Sequence, residues 1–172
     1  NSFVVTVRYT YNIDGKTLPE SEMVVLPGSR AVLPQLGLTN SSQASLVLLE
    51  SKWRRVSSHR VPDPIIFARE RLSFDISDIL VSPGTKEVPF IGVSFKVQNN
   101  TAFGYKEFSS FAVFRSGRAV VGILPLSFAP FRSGGSEDVD VRLPLGAGEP
   151  DSVELISRQN VFDETVFLPV AD

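Results

Sequence analysis

Ser57, Ser58, His59 and Asp63 form the only nucleophile, base and acid set available in the sequence, because His59 is its single histidine. A serine hydroxyl needs an imidazole within hydrogen-bond reach, and the imidazole needs a carboxylate to orient it. Neighbours in sequence rarely meet that geometry. No G-x-S-x-G elbow, P-loop or G-x-G-x-x-G is present either. With no cysteine, thiolate nucleophiles, thiolate metal sites and disulfides are excluded. One histidine also excludes a His-rich zinc site. The expectation is a protein that is not an enzyme and carries no cofactor.

Three groups of side chains remain as binding candidates. Lys52, Arg54, Arg55, His59 and Arg60 surround Trp53, the only tryptophan. Cations beside an aromatic can hold an anionic polymer. The plainer reading is a strand that packs Trp53 inward and exposes its cations. Phe103 and Tyr105, beside Asn99 and Asn100, offer aromatic and amide groups to a glycan or peptide. Asp138 and Asp140 lie two apart on one strand face. With Glu137 and Glu149 they can offer oxygens to calcium, but no loop has EF-hand spacing, and acids on an exposed strand face also discourage edge pairing. Asn40-Ser41-Ser42 and Asn99-Asn100-Thr101 match the glycosylation sequon, though a turn role suits both better. Phe128 and Phe131 read as plugs at the end of a β-sandwich.

The net charge of −2 argues against a dedicated nucleic-acid partner. Charge is nevertheless uneven. Residues 1–136 hold 15 of the 17 basic and 10 of the 19 acidic residues, and residues 137–172 hold 2 and 9. Such polarity suits head-to-tail contact between copies, though internal pairing or simply solvated acids account for it more plainly.

The positioning elements are strands. Phe108–Leu124 (FSSFAVFRSGRAVVGIL) is two apolar runs about a Ser116-Gly117 turn, a β-hairpin. Residues 3–11 alternate, with Phe3, Val5, Val7, Tyr9 and Tyr11 on one face. Asp14-Gly15 signals a turn. Further strands are expected at Ser21–Leu26, Arg30–Leu36, Ala44–Val56, Phe67–Val81, Phe90–Gln98, Glu137–Leu143, Ser152–Ser157 and Thr165–Val170; in Phe67–Val81 the residues Phe74, Ile76, Ile79 and Leu80 also fit a short helix, but the Val-Ser-Pro-Gly stop and the all-β company favour a strand. The prolines of residues 57–66 mark a linker, and Asn40–Gln43 and Pro125–Pro130 read as irregular. VVLPGSRAVLPQLGL with LLESKWRRV, and GILPLSFAPF with VELISRQNVF, suggest an internal repeat.

The later half resembles a bacterial extracytoplasmic domain family named for its F-x-L-Y-D motif. Val97-Gln98-Asn99 matches the family's V-x-N, Phe111–Arg115 its F-x-L-Y-D, and Arg118–Gly122 its G-x-V-V-G. The turn Ser133–Ser136 and the strand Val139–Leu143 complete the match, over roughly residues 88–168. Val113, Phe114 and Arg115 replace the motif's Leu, Tyr and Asp. The resemblance implies a small immunoglobulin-like sandwich in an exported protein and no shared catalytic residues.

The expected fold is all-β, an immunoglobulin-like β-sandwich module at 63–172 behind a smaller β module at 1–62. The expected function is structural: a self-associating or spacer module, extracytoplasmic (periplasmic, membrane-anchored or cell surface). Its partners are other protein chains, including copies of itself, and a membrane is reached only through an anchor ahead of Asn1. The alternative is a binding module for a glycan, peptide or anionic polymer.

Overall fold

A computed structural model describes residues 2–29, 31–34, 43–85, 87–144, 146 and 148–169. The chain is mostly strand, in antiparallel sheets, with one α-helix among the described residues. It divides into two compact units, Asn1–Arg69 and Glu70–Asp172.

The first unit is built on β1 (Phe3–Ile13). Asp14 and Gly15 both take positive φ, 49° and 79°, and turn the chain into β2 (Lys16–Thr17). That backbone matches the twist of a tight hairpin, and Asp-Gly tolerates it. β3 (Ser21–Val25) continues along the same side of β1, with Val5 opposite Val25 and Tyr9 opposite Ser21. β4 (Ala44–Arg55) takes the other side over its full length. The sheet is therefore three strands wide, with β4 at its margin. Arg8 faces Glu50 and Tyr9 faces Leu48, so Leu49 is an extra residue, a β-bulge.

The second unit is two three-stranded sheets. β5 (Phe74–Ser82), β6 (Phe90–Asn99) and β9 (Ser136–Pro144) form one, in the order β5-β6-β9. β7 (Phe108–Ser116), β8 (Ala119–Phe128) and β10 (Ser152–Ser157) form the other, in the order β10-β7-β8. Ser116 pairs with Ala119, so the hairpin turn is Gly117-Arg118, with Gly117 at φ 58°. Alternate residues of both sheets meet in one core: Val93, Phe95 and Val97 of β6, Val139 and Leu143 of β9, Phe108, Ala112 and Phe114 of β7. Phe74, Phe108, Phe128 and Phe131 pack ring on ring at one end, with centroids 4.3–6.4 Å apart. Phe131 lies in this core and Phe128 packs against it.

Several expected elements differ. Pro64–Arg71 is a helix, α1, where a linker and then a strand were expected; β5 begins only at Phe74. Asp63 Oδ1 accepts from the Ile65 and Ile66 N–H groups at 3.0 Å, which caps the helix. Residues 31–34 belong to no strand, while 30, 35 and 36 of that expected strand, and 40–42 of the expected loop and first sequon, lie outside the described residues. Pro125 to Phe128 belong to β8. In place of a last strand at Thr165–Val170 there is a short 3-10 helix, Glu164–Val166, and a single bridge from Phe167 to Tyr105; Val170 lies outside the described residues. The two halves of the suggested repeat fold differently: GILPLSFAPF runs largely within β8, whereas VVLPGSRAVLPQLGL leaves its sheet after Val25.

Asn99 ties the loops at one end of the second unit. Its side-chain amide donates to the carbonyls of Phe103 (2.8 Å) and Arg132 (3.0 Å). Its Oδ1 accepts from the Thr101 N–H and hydroxyl at 3.0 and 2.7 Å. The residue is fully buried, so this is the turn role and not a glycan acceptor. Asn99→Ala strands several buried polar groups, each costing about 1–3 kcal/mol. Urea unfolding should show a lower midpoint with an unchanged slope; an unaltered midpoint would refute the tie.

Candidate functional site

Alternation along β1 and its partners sorts the first sheet into two faces. Val5, Val7, Tyr9 and Tyr11 share one face with Trp53, Leu48 and Leu46 of β4 and with Met23 and Val25 of β3. Arg8 shares the other with Glu50, Lys52, Arg54 and Glu22. The polar face carries an ion-pair cluster: Arg8 to Glu20 at 2.6 Å, Arg8 to Glu50 at 3.0 Å and Lys52 to Glu50 at 3.6 Å. Solvent reaches all of these side chains and screens the pairs, so they add little to stability.

The apolar face is covered unevenly. Val5, Tyr9, Ile13 and Met23 are buried. On β4 every residue but Glu50 is exposed, and Leu48 and Trp53 stand 64% and 62% accessible. Trp53 touches only the rim of the sheet: its ring meets Phe3 edge-on at 6.0 Å and its N–H donates to Ser51 Oγ at 3.2 Å. An inward-packed Trp53 is therefore not what the structure has. Lys52, Arg54 and Arg55 are exposed around it. Among the described residues, no strand pairs with the outer edge of β4. Its unpaired N–H and C=O groups and its apolar side chains are open together. In general, an edge of this kind is a template on which a further strand can pair.

β9 is the margin of its sheet as well, since among the described residues it pairs only with β6. Val139 and Leu143 point into the core; Asp138, Asp140 and Arg142 point out, as the alternation predicts. Asp138 lies 3.9 Å from Lys96, with its side chain 83% accessible. Beside this strand a shallow groove of about 610 Å³ borders Phe90, Asp140 and Arg142. The Arg142 guanidinium sits 4.4 Å over the Phe90 ring and occupies the aromatic face a sugar would need.

The loop candidates are core residues. Tyr105 is 0% exposed, packed among Phe74, Phe108 and Phe167, and its hydroxyl donates to the Arg71 carbonyl. It cannot meet a ligand from this position. Phe103 is half-buried, with the Arg71 guanidinium 4.1 Å over its ring. His59 is exposed, and Asp63 is turned to the α1 cap rather than into a triad. Among the described residues, no three His, Asp or Glu side chains are grouped to hold a metal, and no helix is long and apolar enough to cross a membrane. The structure thus leaves Lys52, Trp53, Arg54 and Arg55 on one open edge, and Asp138 and Asp140 on another. The long exposed apolar run of β4, Leu46 to Leu49, is the feature the sequence reading passed over. Four consecutive aliphatic residues break strict alternation, and that was its signal.

No family model, curated protein or solved structure matches the chain.

Two measurements check these placements. Trp53 is the sole tryptophan, so dilute protein should show red-shifted emission quenched readily by iodide; a blue-shifted, protected band would contradict its exposure. Burial pushes the Tyr105 phenol well above the ordinary tyrosine value of 10.0. The folded state then keeps a proton that the unfolded state releases, so stability should fall as pH rises above about 10. Tyr105→Phe should flatten that alkaline decline; an identical pH profile would count against it.

Proposed function

We propose that the chain is a non-enzymatic structural module of an exported or cell-surface protein, joining copies of itself or serving as a spacer. The observation that carries this reading is the open margin of the first sheet, where β4 exposes Leu46, Leu48 and Trp53 beside unpaired backbone. Monomeric proteins usually guard so long an edge.

The second unit is an immunoglobulin-like sandwich in this reading, and the first is a smaller β module in tandem with it. The strand neighbours support this. β5-β6-β9 follows the A-B-E order of the immunoglobulin plan, and β10-β7-β8 follows F-C-C′. The strands that would stand as D beside β9 and as G beside β10 are missing among the described residues. Extracytoplasmic placement rests on the F-x-L-Y-D resemblance. A second reading, a binding module for an anionic polymer, draws on exposed Trp53 among Lys52, Arg54 and Arg55. The glycan reading through Tyr105 loses its residue to the core.

Size-exclusion chromatography with light scattering, at low and high salt, tests the proposal. Mass should rise with protein concentration. A strict monomer at all concentrations and salts defeats self-association, and a monomer whose mass rises only when a sulfated polysaccharide is added favours the second reading.

A further inference from the structure

We infer that the partner of β4 is a second copy of the chain, engaged through β9, so that the basic edge of one molecule extends the β5-β6-β9 sheet of the next. This rests on the assembly reading above and names its seam. Both strands are long, β4 with 12 residues and β9 with 9, and both have an unpaired outer edge among the described residues. On the second unit the incoming strand would fill the vacant position beside β9.

Charge selects this pairing over the two symmetric ones. β4 carries Lys52, Arg54 and Arg55 against Glu50. β9 carries Glu137, Asp138 and Asp140 against Arg142. Two β4 edges together bring six cations to two carboxylates, and two β9 edges bring six carboxylates to two cations. Like charges set opposite each other across strands destabilise the pair. β4 against β9 brings four cations to four carboxylates. The spacing also matches. Lys52 and Arg54 recur on the polar face of β4 two residues apart, as Asp138 and Asp140 do on the outer face of β9. With those faces side by side, Trp53 comes next to Val139. The contact is heterologous, because each copy offers one edge of each kind, and it propagates.

The test is charge reversal in the whole chain. The variant Lys52→Glu/Arg54→Glu and the variant Asp138→Lys/Asp140→Lys should each associate at least roughly tenfold more weakly than the parent. Mixing the two, or combining all four changes in one chain, should restore association, and Trp53 emission should shift to the blue as it does. Circular dichroism checks folding. If a reversal unfolds the protein, Lys52→Gln/Arg54→Gln and Asp138→Asn/Asp140→Asn give the weakening arm at lower risk. Association of the parent that neither variant alters overturns this seam and leaves self-assembly standing. Loss on changing β4 alone, with the β9 variant unaffected, overturns it in favour of a symmetric β4 seam. A parent that never associates removes both readings.

Discussion

The outer edge of β4 is the constraint on which the rest turns. A backbone N–H or C=O at a sheet margin must bond to water or to another strand, and a margin strand that also exposes leucines and a tryptophan gains from the second. Among the described residues of the first unit, nothing pairs with that edge. Its sheet is three strands wide, and burial on the apolar face follows β1 and β3 but stops short of β4. The second unit buries its apolar faces internally, although the outer edge of β9 stays unpaired among the described residues. Its two sheets cover each other, and Phe95 and Phe114, one from each, meet edge-on across the core at 6.1 Å.

Charge gives that edge its direction. The first unit holds eight Lys and Arg against five Asp and Glu; the second holds nine against fourteen. The resulting +3 and −5 cancel almost fully, so copies approach with little net repulsion and yet distinguish each other's ends. Acids on β9 and cations on β4 each guard their own edge against a like edge. The same side chains that prevent symmetric aggregation therefore permit the mixed contact.

The strands were legible wherever one face is buried and the other wet. β6 and β9 alternate in sequence and in burial, β1 alternates in sequence, and Asp14-Gly15 turns where it should. What the pattern could not carry is coverage. Alternation says that Trp53 belongs to the apolar face, but not that the face lies open beside it. Tyr105 failed for the opposite reason. It sits in a loop with no period, and only the assembled core of the second unit shows that its ring is enclosed. The sequence of α1 conceals the helix because Pro64 reads as a breaker. After a capping Asp63, proline stands at the first helical position, where its missing N–H costs nothing and its fixed φ favours the helix.

A contact between unlike edges has consequences that a symmetric dimer lacks. Each copy that joins uses one basic edge and presents a new acidic one, so the interface contains no stop. Length is then governed by concentration and by the rotation each step imposes, which yields a ring if it closes and a fibre if it does not. Exposed ion pairs contribute little energy individually, and salt screens them within about 8–10 Å. The steering is therefore ionic, whereas holding depends on the backbone ladder and the burial of Trp53 and its leucine neighbours. An assembly of this kind forms slowly in high salt but, once formed, dissociates less readily than its charge alone would suggest.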